Sequence, residues 1–95
     1  MNVRLTKLAA RDVLARTAWL VERSPAAASA FRQELDAALD LILQTPDAGQ
    51  IVRLGAPRGE VRRWLLPPMV IYFAQRGDEL VVYRVRHSAR RPIER

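Results

Sequence analysis

Apolar residues are spaced in two different ways along this chain, and the change divides it. Up to Gln44 they recur every three or four positions, as on one face of an α-helix. From Val61 onward they bunch into short runs of Val, Ile, Leu, Tyr and Phe, the residues that favour strands. The first helical stretch runs from Thr6 or Lys7 to Arg23. Ala9, Val13 and Leu20 form its inner face, broadened by Ala10, Leu14 and Val21, with Trp19 at the edge as a core or seam aromatic. Thr6 suits the N-cap, and Asn2–Leu5 before it suits a short first strand. Ser24-Pro25 predicts an abrupt restart, because Ser caps a helix and Pro at its first position lacks only an N–H that would be unpaired anyway. The second helix then runs from Pro25 to about Gln44. Phe31, Leu35, Ala38, Leu39 and Ile42 form its stripe, while Arg32, Glu34, Asp36 and Asp40 lie off it. Thr45-Pro46 ends it, since the residue before proline is pushed out of helical space. A connection of about two residues predicts an antiparallel helical hairpin.

The second half reads as strands. Trp64–Leu66 is expected to end at Pro67-Pro68, which cannot donate to a ladder. Met69–Ala74 and Leu80–Val85 are expected to pair across Gly77-Asp78, where Gly supplies the positive φ of a type II′ turn. A plain two-residue turn sets Ala74 opposite Val81, Tyr72 opposite Tyr83 and Val70 opposite Val85. That uncharged face is expected to meet the helices. The other face pairs Phe73 with Val82, Ile71 with Arg84 and Met69 with Arg86, and is expected to hold a partner. Between the halves, residues 47–59 form a loop in which Gly49, Gly55 and Gly59 are turn residues and Ile51–Arg53 permits a short extended piece. No phosphate-binding motif surrounds those glycines. The resulting class is α+β: an N-terminal strand, then an antiparallel helical hairpin on one face of a small antiparallel sheet, in one domain spanning residues 1–95.

Charge sharpens this picture. Residues 1–50 balance six basic against six acidic side chains, so the whole net charge of +6 lies in residues 51–95, with ten Arg against four acids. That asymmetry favours a polyanion or an acidic protein partner, although arginine-rich coding alone also gives Arg. No cysteine is present, which removes disulfides and thiolate metal sites and fits a cytosolic protein. Arg4, Lys7, Arg11 and Asp12 interrupt any apolar leader, and no run is long enough to span a bilayer.

Catalytic groups are few. His87 is the single histidine, so a metal site built on two imidazoles is excluded, and no nucleophile elbow surrounds Ser24, Ser29 or Ser88. One constellation stands out: His87 with Arg62 or Arg63, Arg84 and Arg86. Proton transfer by His beside Arg groups that stabilise a phosphorane-like state is a recipe for RNA cleavage. The alternative is that His87 bonds locally at its strand end while the arginines bind acids on a partner.

The order and spacing of several pieces resemble ParE-type toxins of the RelE/ParE superfamily over nearly the whole chain. Ala9, Asp12, Val13, Trp19 and Leu20 fit the family's first helix, and Ser24-Pro25 with Ala28 fit the start of the second. Ile42, Pro46 and Gly49 fit its end. Val61-Arg62-Arg63-Trp64 leading to Ile71-Tyr72-Phe73 fits the central strands, and residues 84–91, with Arg84-Val85-Arg86-His87 and Arg90-Arg91, fit the family's ending. Arg16 departs from an expected apolar residue and Met69 from an aromatic one. The resemblance implies a toxin held silent by a tightly bound ParD-like antitoxin and directed at DNA gyrase, acting by binding and without cofactor, membrane contact or specific DNA binding of its own. RelE-like relatives instead cut messenger RNA on the ribosome, and His87, Arg63 and Arg86 are the matching candidates here. Ser88 follows His87 where a nuclease has Tyr, and no acid evident in the sequence pairs with the central Arg, both of which favour binding over cleavage. The expected partner-binding residues are Arg62, Arg63, Met69, Ile71, Phe73, Val82, Arg84, Arg86 and Arg90.

Overall fold

The computed structural model describes residues 1–53 and 59–89; Gly55, expected in a turn, and Arg90 and Arg91 lie outside them. The helical half follows its sequence signals closely. The Thr6 hydroxyl accepts from the Ala9 N–H at 3.1 Å and so caps helix α1 (Lys7–Arg23). Ser24 alone, rather than two residues, joins it to helix α2 (Pro25–Gln44): its N–H donates to the Leu20 carbonyl at 2.7 Å, and its hydroxyl accepts from the Ala27 N–H at 3.2 Å. One serine therefore closes one helix and opens the next, which accounts for the sharp reversal. Ala9 and Val13 of α1 and Ala28, Phe31, Leu35, Ala38 and Ile42 of α2 are buried. Leu14 and Val21, at the margin of the first face, remain exposed.

The strands form one five-stranded sheet. In chain order they are β1 (Asn2–Leu5), β2 (Gln50–Arg53), β3 (Glu60–Leu66), β4 (Met69–Arg76) and β5 (Glu79–His87), and in space they run β1-β5-β4-β3-β2. The sheet is mixed rather than antiparallel throughout, because β1 lies parallel to β5, with Leu5 opposite Val82. The chain must cross the sheet through both helices before the hairpin returns, and that crossover sets the parallel direction. Pro67 and Pro68 do end β3, but as the two central residues of a tight turn whose Pro67–Pro68 peptide is cis, so Leu66 sits directly opposite Met69. The β4–β5 turn is Gly77-Asp78 with Gly77 at φ 60° and no positive φ at Asp78, the pattern of a type II′ turn.

Register and facing depart from expectation together. Ala74 opposes Val81 and Phe73 opposes Val82, but Tyr83 is then an extra residue on β5. Beyond that bulge Tyr72 opposes Arg84, Ile71 opposes Val85 and Met69 opposes His87. Strict alternation from Val82 would aim Arg84 and Arg86 under the helices, where unpaired charge is costly. The inserted residue puts Val85 there instead. The helix-covered face is accordingly Met69, Ile71, Phe73, Leu80, Val82 and Val85, packed with Ala9, Val13, Phe31, Leu35, Ala38 and Ile42. The face expected to meet the helices carries a second cluster of Val61, Val70, Tyr72 and Ala74, flanked by Val52 and Tyr83. Met69, Ile71, Phe73 and Val82 are therefore core residues, not a docking face.

Gly49, just before β2, has φ 87°, and a Cβ placed there would lie 2.5 Å from the Arg63 carbonyl oxygen. Both the backbone conformation and the close approach require glycine. Gly49→Ala is expected to cost about 1–3 kcal/mol, read as a lowered denaturation midpoint at unchanged m-value. Among the described residues no helix is long and apolar enough to cross a membrane.

Candidate partner-binding groove

Because β1 ends opposite Val82, no strand among the described residues covers the outer edge of β5 from Tyr83 onward. Helix α1 closes the first part of that edge. The Thr6 N–H donates to the Val82 carbonyl at 3.0 Å, and the Thr6 hydroxyl donates to the carbonyl of the bulged Tyr83 at 2.9 Å. A turn and a half along α1, the Asp12 carboxylate accepts from the Val85 N–H at 2.9 Å. The same carboxylate takes two parallel bonds from Arg84, Nε to Oδ2 at 2.8 Å and Nη2 to Oδ1 at 3.0 Å. Fork-on-fork geometry of this kind fixes orientation as well as adding energy. Both side chains are largely covered, at 25% and 16% exposure. The bond to Asp12 raises the Arg84 pKa above the ordinary guanidinium value against the opposing effect of burial, with the charge of Asp12 adding to it. Arg84 thus has its acid within the chain, and the sequence did not disclose it. Asp12 lies between core residues Ala9 and Val13, a position that singles it out once β5 is known to pass beside α1.

Beyond this clamp the seam between α1 and β5 widens into an open groove of about 550 Å³. Asp12 stands at one end. Ala15, Met69 and Val85 line the apolar part, and Arg16, Trp19, Arg86 and His87 supply the polar and aromatic part. Asp12, Arg16 and Trp19 are spaced i, i+4 and i+7 on α1, so they share one line along the helix. The sequence alone shows that stripe only as an edge aromatic and an arginine where the resemblance expects an apolar residue. The Nε atoms of Arg16 and Arg86 are buried without a hydrogen-bond partner. The guanidinium carbons of Arg23 and Arg16 lie over the Trp19 ring, 3.7 and 4.8 Å from its centroid. His87 is held at the strand end: its Nδ1 accepts from the Ala89 N–H at 3.0 Å, which leaves the proton of the neutral ring on Nε2. The neighbouring Ser88 N–H donates to the Pro68 carbonyl at 2.7 Å.

The expected site residues therefore separate. Arg86 and His87 come together, joined by Arg16 and Trp19, which were not expected there. Arg84 is committed to Asp12. Arg63 shares the face of Tyr72 on β3 and lines a different depression with Gly49, Gln50, Trp64 and Leu65. Arg62 shares the opposite face with Phe73 and reaches the Gly49 carbonyl at 3.4 Å. The candidate nuclease set of His87, Arg63 and Arg86 does not converge in one groove. Arg90 lies outside the described residues.

A family model described as the ParE toxin of the type II toxin-antitoxin system, parDE, matches residues 3–92. No curated protein matches the chain in sequence. A solved structure described as the chromosomal ParDE TA system from P. aeruginosa shares the fold, with a TM-score of 0.69 and 24% identity, over 92% of this chain and 95% of that one.

Proposed function

This chain belongs to the ParE toxin family, and from that premise we propose that it arrests bacterial growth by binding and inhibiting DNA gyrase. A ParD-like antitoxin in tight complex keeps it silent in the cytoplasm. The observation that carries the toxin reading is the family match across residues 3–92. Action by binding rather than cleavage is supported by the chemistry of the groove. Arg84 is neutralised by Asp12, the His87 Nδ1 is engaged by backbone, and Arg63 lines another depression. A nuclease needs a base and an acid poised across one phosphodiester, and His87 offers only its Nε2 side. The RelE-like reading draws on the meeting of His87 with Arg86 and Arg16 in the groove.

Induced expression of the chain alone is expected to arrest growth, and co-expression of the antitoxin encoded beside it to restore growth. His87→Ala is expected to stay toxic, within about threefold of the wild-type killing rate, because general acid–base transfer would account for about 100-fold or more in a nuclease. Primer extension on messenger RNA after induction should show no codon-linked cuts. Discrete cuts that vanish with His87→Ala would establish the endoribonuclease instead. Harmless overexpression with tight antitoxin binding would mark a module that has lost its toxicity.

A further inference from the structure

We propose that the face of the sheet turned away from the helices makes a sequence-independent contact with the phosphate backbone of duplex DNA, through Arg63 and Arg86. The proposal deepens the gyrase reading above and rests on it for one thing only, that the duplex met in the cell is the one gyrase holds.

Strand register places the arginines. Arg63 of β3 lies opposite Tyr72 of β4, which lies opposite Arg84 of β5, and Arg86 lies opposite Val70 two residues further on. Arg4 and Arg76 share this face, opposite Val81 and Glu79. Against these cations the face sets only Glu79 among the described residues, and Arg4 takes it at 3.1 Å. Arg84 is bound to Asp12. Arg76 donates to the Tyr83 hydroxyl at 3.2 Å and to the Glu60 carbonyl at 3.0 Å. Arg63 and Arg86 make no ion pair or side-chain hydrogen bond among the described residues. Arg63 opens on a depression beside Gln50 and Leu65, and of the Arg86 nitrogens only Nε is closed off from solvent. One strand, β4, separates the two, so they stand about 10 Å apart across the sheet, far enough to meet separate phosphates.

The floor beneath them decides which anion fits. Val61, Val70, Tyr72 and Ala74 are each at most 5% exposed, so the centre of the face offers a protein segment no apolar pocket and an unstacked base no open ring. Tyr83 is half-buried beneath the Arg76 guanidinium. Cations fixed over a closed floor suit backbone phosphates, which repeat at regular intervals and need no pocket. The opposite layer disfavours the same ligand, because α2 exposes Glu34, Asp36 and Asp40. The surplus charge of residues 51–95 thus gives the molecule a basic side that turns toward a polyanion.

The test is fluorescence anisotropy of a labelled duplex of about 20 base pairs, titrated with the full chain between about 20 and 200 mM salt. The logarithm of the binding constant should fall against that of salt with a slope of about −2, as two neutralised phosphates require, and a duplex of unrelated sequence should bind equally. Arg63→Gln and Arg86→Gln should each make the slope shallower by about 1, and together weaken low-salt binding by about tenfold or more. Arg32→Gln removes the same charge from an exposed position on α2 and should stay within about twofold. No binding at low salt, a slope that both variants leave unchanged, or tighter binding of a uridine oligonucleotide or a polyglutamate peptide would overturn the proposal. Should Arg86→Gln fail to fold, the slope of Arg63→Gln alone decides. Gyrase takes no part in this measurement. A chain that holds duplex through these arginines yet leaves supercoiling undiminished would sink the gyrase reading alone, and one that inhibits gyrase but fails these tests would sink this proposal alone.

Discussion

Phe73→Ala is expected to destabilise the fold by about 3–5 kcal/mol, enough to unfold a substantial fraction of the protein at growth temperature. Phe73 is fully buried, on the face of β4 that Met69 and Ile71 share and that the helices cover. Removing the ring leaves a cavity that the rigid crossing of α2 and the sheet cannot collapse, and the cost of a large-to-small change is the lost transfer energy plus that cavity. Were Phe73 instead part of an open docking face, the same substitution would leave stability within about 0.5 kcal/mol and weaken only a complex. Urea denaturation of the isolated chain separates the two cases. Ile71→Ala serves as the companion, since it probes the same face one pair along the strand.

Asp12→Ala is expected to cost about 2–4 kcal/mol, at the lower end of what breaking a buried ion pair costs because both partners keep some solvent contact. Three bonds disappear at once: two from Arg84 and one from the Val85 N–H. The larger part of the loss comes from the guanidinium left behind without its acid. Adding Arg84→Met to Asp12→Ala should therefore recover part of the stability, whereas independent contributions would make the double variant worse than either single one. The pH dependence has a definite sign for Arg84. Its pKa is raised in the folded state, so its contribution is fully present below the ordinary guanidinium range and is lost only as pH climbs through the still higher folded value. Arg84 thus contributes no pH dependence to stability near neutrality. A calorimetric double-mutant cycle measures the coupling directly.

These two residues also mark where the sequence was legible and where it was not. The helical hairpin could be read almost to the residue because Ser24-Pro25 and Thr45-Pro46 act locally, on the dihedral angles of their own neighbours. The strands of the second half were equally plain from their β-branched and aromatic runs, as was the Gly77-Asp78 turn. What could not be read was anything set by one part of the chain meeting another. The extra residue at Tyr83 reverses which side of β5 faces the helices, and no local signal marks it: Tyr, Arg and Val are all acceptable strand residues. Without that residue Arg84 and Arg86 would share a face with Met69, Ile71, Phe73 and Val82, so a correct strand assignment and a correct Phe73–Val82 pairing still led to an inverted core, with those four assigned to the surface. Parallel pairing of β1 with β5 spans the whole chain and leaves no trace in either segment. The Asp12–Arg84 clamp was hidden for the same reason, and with it the groove that Arg16, Trp19, Arg86 and His87 build beyond it. Of the candidate residues, Met69, Ile71, Phe73 and Val82 stayed together as expected but in the core, while Arg84 and Arg86, beyond the bulge, parted from them.

The bulge and the clamp serve one end. By keeping Arg84 and Arg86 out of the core, the bulge leaves them on the uncovered edge of β5. By neutralising Arg84, Asp12 leaves Arg86 and Arg16 as the cations that line the groove beyond the clamp. A chain arranged in this way is suited to grip another macromolecule, and gyrase is the target proposed for it.

The most direct measurement is the supercoiling of relaxed plasmid by DNA gyrase in the presence of the purified chain. Supercoiling should fall as the chain is added, should fall equally with His87→Ala, and should return when the antitoxin is supplied. Undiminished supercoiling at a large excess of a chain that still arrests growth would contradict the account.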